Sequence, residues 1–145
     1  MDLIQFQQNL LNIDIWELLR PILQDHFADI EELNRKQLSE GEKADNSAMP
    51  DYKSNVYADF KERFVPTYQI YPTTDLRYTG DFYKAIKAQF STYGISIESF
   101  DGKAAELEAK YGSGIYGLTT ESLELFTKKL IDPLIKSIHD AIFKN

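Results

Sequence analysis

Lys87-Ala-Gln-Phe-Ser-Thr92 and Ile95-Ser-Ile-Glu-Ser-Phe100, joined by Tyr93-Gly94, decide the fold class of this 145-residue chain. In the second run Ile95, Ile97 and, less cleanly, Ser99 share one face, while Ser96, Glu98 and Phe100 share the other. That period of two is a strand's. Tyr93-Gly94 supplies a two-residue hairpin turn, and Asp101-Gly102 closes the second strand. Helix-like sequence lies on both sides. Thr79-Gly80-Asp81 marks a turn, followed by Phe82, Tyr83 and Ile86 at helical spacing, and Ala104–Tyr111 is rich in helix formers and stops at Gly112. One hairpin among helices, without an alternating βαβ pattern, predicts an α+β fold with a small antiparallel sheet.

Toward the C-terminus, Leu123, Phe126, Leu130, Ile131, Leu134, Ile138 and Ile142 recur every three or four residues. Thr119 or Thr120 offers an N-cap oxygen, and Glu121 and Glu124 suit the positive end of the helix dipole. A C-terminal helix packed on the sheet is expected, bent but not ended by Pro133. Burying all seven side chains would contribute on the order of 10–20 kcal/mol gross. Toward the N-terminus, Leu3, Phe6, Leu10, Ile13, Trp16, Leu19, Ile22 or Leu23, Phe27, Ile30 and Leu33 form a second stripe, with Pro21 predicting a kink or break near Trp16–Arg20. Two readings of that stripe stand: a helix pair packed on the core, or a helical arm that binds a neighbouring subunit. Ser39–Pro50 is polar and turn-rich, hence a loop, and Asp51–Phe64 suits a short helix. The expected organisation is a single domain with an N-terminal helical region (1–38), a loop and β-rich middle (39–118) and a C-terminal helix (119–145).

Hydrophobic residues at 43% and charged residues at 27% are the composition of a folded chain. Sixteen Lys and Arg against 23 Asp and Glu give a net charge of −7, which argues against a free-standing nucleic-acid binder. Most of the excess lies in residues 1–50, with ten acids and four bases. The absence of cysteine excludes disulfides, thiolate metal sites and cysteine nucleophiles, and two histidines make a multi-histidine metal centre improbable. Met-Asp-Leu-Ile-Gln has no basic n-region and no apolar run approaches 18 residues, so neither a standard export signal nor a membrane span is expected.

Chemistry-bearing patterns are weak. Gly112-Ser-Gly114-Ile-Tyr-Gly117 matches G-x-G-x-x-G as text, but Ala-Glu-Leu-Glu-Ala-Lys-Tyr before it reads as helix, whereas a dinucleotide site needs a strand there. Gly112 and Gly117 read instead as turn residues between helices. His26 between Asp25 and Asp29, and His139 beside Asp140, read as exposed helix histidines because no nucleophile-elbow serine accompanies them. Glu31 and Glu32 point to different helix faces. No catalytic residue, cofactor or metal ligand is expected. Aromatic residues crowd the middle instead. Pro66 and Pro72 make residues 65–75 irregular, and a loop exposing Tyr68, Ile70 and Tyr71 is a good adhesive surface, although it is equally suited to the core. With Tyr78 and Trp16 these are the candidate protein-contact residues.

The order of landmarks is more informative than any one motif. Asn34-Arg-Lys-Gln37-Leu38 runs into the polar loop, followed by Met49-Pro50-Asp51-Tyr52 and Tyr57-Ala58-Asp59-Phe60-Lys61. Next comes Asp75-Leu76-Arg77-Tyr78-Thr79-Gly80-Asp81-Phe82-Tyr83-Lys84-Ala85-Ile86, then the hairpin, Tyr111-Gly112, Ile115-Tyr116-Gly117-Leu118-Thr119 and the closing helix. Across about residues 34–131 this order resembles the tailed-phage virion-morphogenesis and tail-completion proteins, in particular a phage or prophage-like branch from Bacteroidetes. It departs from their pattern in Ala-Asp-Asn and Tyr52, where Pro-Asp-Gly and Trp are usual, and in Gly-Ser-Gly, where Ala-Arg-Pro is usual.

The resemblance implies a non-enzymatic structural protein of the virion neck or upper tail, assembled in the host cytoplasm and acting in head–tail joining. Its partners would be other virion proteins on the connector or portal side and on the tail-tube side. It would form a homo-oligomeric ring through which the genome passes, with neither membrane binding nor sequence-specific nucleic-acid recognition. Thr79 and Gly80 would then be a structural turn. If a ring forms, the acidic first third facing its lumen would repel DNA phosphates. The other reading is a host-encoded, non-enzymatic adaptor that binds a partner helix through the N-terminal amphipathic region.

Overall fold

The computed structural model describes residues 1–52, 55–64, 76, 80–92 and 94–144. The described chain is α+β. Helices α1 (Leu3–Leu11), α2 (Ile15–Asp25), α3 (Phe27–Ser39), α4 (Asn55–Phe64) and α5 (Asp81–Lys84) precede strands β1 (Ile86–Ser91) and β2 (Gly94–Ser99). Helix α6 (Ala104–Tyr111), a 3-10 turn (Ser113–Ile115) and α7 (Thr120–Ile142) follow. The chain divides into two compact units, one of Met1–His26 with Glu124–Asn145 and one of Phe27–Leu123.

The hairpin lies in the larger unit, one residue earlier than its alternation suggests. Gly94 is already paired with Ser91, so the two connecting residues are Thr92 and Tyr93, the latter outside the described residues. Gly94 has a φ of 135°, which a residue with a Cβ rarely adopts, so it serves as both strand and turn. Opposite Ile86, Ala88 and Phe90 stand Ser99, Ile97 and Ile95. Ile86 is fully buried, and with Leu38, Met49, Phe82, Tyr83 and Ile115 it makes the core, onto which Ile97, Leu107 and Tyr111 pack. The opposite face carries Lys87 across from Glu98, a cross-strand pair of opposite charge.

The expected break near Trp16–Arg20 is displaced. The chain breaks at Asn12–Asp14 and again at His26, and Pro21 sits inside α2. The cause is capping. Asp14 accepts bonds from the backbone N–H of Trp16 (3.0 Å) and Glu17 (3.3 Å), which starts a new helix there. Proline costs one helix bond but does not forbid a helix around it. At the other end, Thr119 rather than Thr120 is the cap, its Oγ1 accepting from Ser122 N–H at 3.2 Å. Helix α7 runs on through Pro133 to Ile142. Its stripe is not the buried seam that periodicity suggests. Of the seven side chains only Phe126 is buried, whereas Leu123 and Ile131 are about half exposed.

These contrasts are measurable. Ile86→Ala is expected to lower the unfolding free energy by about 2–5 kcal/mol in urea titration. Ile131→Ala, at an exposed position of an equally apolar pattern, is expected to stay within about 0.5 kcal/mol of the wild type.

Candidate functional site

Helix α3 turns an unusually polar face inward. Asn34, Gln37 and Glu31 are all buried. Asn34 Nδ2 donates to Ile115 O at 3.0 Å and its Oδ1 accepts from Gly117 N–H at 3.4 Å. Gln37 Nε2 donates to Gly117 O at 2.9 Å while its Oε1 accepts from Thr119 N–H at 2.8 Å. Two amide side chains thereby satisfy the irregular stretch between α6 and α7, whose backbone has no ladder of its own. Gly117 permits that approach. Its φ is 115°, and a Cβ there would stand 3.0 Å from the Cβ of Ala44.

The same helix closes one edge of the sheet. Phe100 N–H donates to Ala85 O at 3.0 Å, which sets the ladder's parity. The N–H and C=O groups of Ile86, Ala88 and Phe90 therefore point away from β2, and those of Ile95, Ile97 and Ser99 point away from β1. On the β1 side, Glu31 Oε1 accepts from Ala88 N–H at 3.0 Å and Arg35 Nη2 donates to Ile86 O at 3.0 Å. Arg35 Nε also donates to Tyr83 O at 2.8 Å. The Glu31 and Arg35 side chains lie 3.8 Å apart, and between them they stand in for a neighbouring strand. On the β2 side, among the described residues, the outward groups of Ile95 and Ile97 have no hydrogen-bond partner.

Among the described residues, groups capable of chemistry do not converge. A groove of about 640 Å³ is lined by Glu32, Arg35, Lys36, Ser39, Tyr83 and Lys84, but its guanidinium is already committed to two carbonyls. His26 Nδ1 lies 2.8 Å from Ile22 O. His139 is exposed, 3.7 Å from Asp140 and stacked 4.6 Å from the Phe143 ring. The Asp140 carboxyl titrates below the usual range because Lys136 hydrogen-bonds it at 2.7 Å. Among the described residues no group of three or more His, Asp or Glu could hold a metal ion, and no helix is long and apolar enough to cross a membrane.

The distinctive surface lies in the smaller unit. Asp2 caps α1, accepting from Gln5 N–H at 2.8 Å, and the helix itself, Leu-Ile-Gln-Phe-Gln-Gln-Asn-Leu-Leu, carries no charge. Its inner side is fixed by Asn9, which is buried and donates to Ile142 O (2.7 Å) and Lys144 O (2.9 Å) at the C-terminus of α7. Phe6 packs against Phe143 with ring centroids 5.9 Å apart and planes tilted by 47°. The outer side leaves Leu3 84%, Ile4 68% and Leu11 76% exposed. Ile15 and Trp16 on α2 and Ile131 and Ile135 on α7 are also exposed. Among the described residues, eleven of the fifteen large exposed hydrophobics belong to this unit, although it holds only about a third of the chain. Such concentration differs from the single scattered apolar residues of an ordinary surface.

Of the residues singled out from sequence, Trp16 lies on this surface, 47% exposed in the first turn of α2. Tyr68, Ile70, Tyr71, Tyr78 and Thr79 lie outside the described residues. Gly80 takes a left-handed φ of 87° before α5, and Gly112 a φ of 86° after α6. Sequence reasoning did not find the pairing of Glu31 and Arg35 with the β1 edge. Their i,i+4 spacing was visible, but nothing local marked that face as inward. No family model, no curated protein and no solved structure matches this chain.

Two outcomes test the site's energetics. Arg35→Ala leaves two carbonyls without their donor and removes one of the two cations beside the buried Glu31, and is expected to cost about 2–3 kcal/mol in chemical denaturation, with Arg35→Lys restoring only part of it. Burial, with smaller contributions from Glu108 and Glu98, raises the Tyr116 hydroxyl above its ordinary value of 10.0. The folded state thus favours the neutral phenol, and its stabilisation is complete below about pH 10 and lost as pH rises through the folded-state value. Alkaline unfolding of the wild type is expected to show that slope and Tyr116→Phe to lack it.

Proposed function

We propose that this chain is a non-catalytic assembly protein of the phage neck and tail-completion type, which joins head to tail by docking onto other virion proteins and onto copies of itself. The observation that carries the reading is the set of exposed apolar side chains on α1, α2 and α7, with α1 itself free of charge. A chain with net charge −7 keeps one helix free of charge and turns Leu3, Ile4 and Leu11 to solvent. Burying such side chains against a protein partner contributes about 1–2 kcal/mol each. The sequence landmarks between Asn34 and the closing helix support placing the partners in a virion: connector or portal proteins on one side, tail-tube proteins on the other, with a ring of this chain between. Assembly would take place in the host cytoplasm, and the completed ring would pass the genome without reading its sequence.

The same helix surface also favours the adaptor reading, in which a host protein supplies one amphipathic helix to cover Leu3, Ile4 and Trp16. Co-sedimentation separates the two. Full-length chain mixed with portal and tail-tube proteins of its source phage or prophage is expected to sediment with them as a ring-shaped particle by negative-stain microscopy. A stoichiometric complex with a single host protein, and none with head or tail components, would establish the adaptor instead. The triple variant Leu3→Ser, Ile4→Ser, Leu11→Ser is expected to keep the wild-type circular dichroism spectrum. It should bind its partner about a hundredfold more weakly, from about 1 kcal/mol lost per side chain.

A further inference from the structure

We propose that the outer edge of β2 is a self-pairing surface, on which two copies of this chain join β2 to β2 antiparallel into one four-stranded sheet. The proposal concerns a different element and a different chemistry from the helical surface above and does not rest on it. The two edges of the sheet are treated differently. The β1 edge is closed by Glu31 and Arg35, whereas on the β2 edge the N–H and C=O groups of Ile95 and Ile97 face outward without a hydrogen-bond partner among the described residues. Edges meant to stay single are usually blunted by Pro, Lys or a bulge. Gly94-Ile-Ser-Ile-Glu-Ser99 has none of these, and its one charge is Glu98.

A second copy is the occupant because the strand is complementary to itself. With a two-fold axis at Ser96, Ile95 of each copy faces Ile97 of the other as a hydrogen-bonded pair, giving four N–H···O bonds. Ser96 faces its own counterpart in the closer, non-hydrogen-bonded position. Glu98 faces Gly94 of the second copy, so two molecules of net charge −7 meet without placing acid against acid. Ile95 and Ile97, which stand across β2 from Phe90 and Ala88, continue the apolar face of the sheet into the second copy. A contact of this kind falls in the small-interface class, below about 1,200 Å² in total, so the dimer is expected to grow with concentration.

The absence of cysteine makes the test direct. In full-length Ser96→Cys the two thiols would sit at a pair whose Cα atoms are about 4.5 Å apart, within the disulfide range of about 4.4–6.8 Å. Gln89→Cys lies on the same polar face of the sheet, but on β1, so that its two copies would stand three strand spacings, about 14 Å, apart. Under oxidised glutathione, S96C is expected to form a covalent dimer at least about tenfold faster than Q89C, because pairing raises the effective thiol concentration. Sedimentation gives an independent readout. S96K and S96E are each expected to be monomeric at concentrations where the wild type dimerises, and an equimolar mixture of the two to dimerise again. Equal cross-linking rates for S96C and Q89C would overturn the proposal, as would S96K sedimenting like the wild type. An edge that takes a strand from another protein gives the first of those results. The Leu3, Ile4, Leu11 variant is expected to leave S96C cross-linking unchanged, so failure of either reading is seen separately.

Discussion

The larger unit depends on polar side chains of α3 bonding to backbone that has no other partner. Irregular segments and strand edges carry as many N–H and C=O groups as regular structure does, and burying them unpaired costs about 1–3 kcal/mol each. Here the 115–119 stretch is satisfied by Asn34 and Gln37, and the β1 edge by Glu31 and Arg35. A helix rotated half a turn about its axis would turn these groups away. The apolar core of Leu38, Ile86, Ile115 and their neighbours supplies the drive for burial, and the four polar side chains decide which arrangement satisfies it.

A two-stranded sheet is marginal by itself and needs a covered face and managed edges. The core covers one face and α3 closes one edge. The polar face keeps Lys87 opposite Glu98, and the remaining edge stays available to a strand. That asymmetry follows from register. The parity that points Ala88 N–H at Glu31 is the same parity that points the backbone of Ile95 and Ile97 outward.

The smaller unit is built differently. Its buried apolar side chains among the described residues are Ile22, Leu23 and Phe126, and a single buried amide, Asn9, holds the uncharged helix α1 to the last carbonyls near the end of α7. So thin a core beside so much exposed Leu and Ile supports the proposed docking role. The interaction reading therefore rests on surface chemistry that catalytic motifs would never have indicated.

Much of the local structure was legible from residues alone, because its causes are local. Glycine after Tyr111 ends α6, a threonine hydroxyl starts α7, and alternation places the hairpin to within one residue. Pro21 misled, because an aspartate cap seven residues earlier starts the helix that contains it. Periodicity also grouped Leu123, Phe126 and Ile131 on one stripe without telling that only Phe126 would be buried, since a repeat shows which residues share a face and not what covers it. The inward orientation of Glu31, Asn34, Arg35 and Gln37 was equally hidden. Polar residues on a helix read as solvated until the tertiary fold brings unpaired backbone from fifty to eighty residues away within hydrogen-bond distance. The sequence by itself determined most of the elements and those ends that a local cap or glycine sets. The choice of buried face, the closed strand edge and the exposed apolar helix belonged to the tertiary structure, because each depends on what lies across space from a residue.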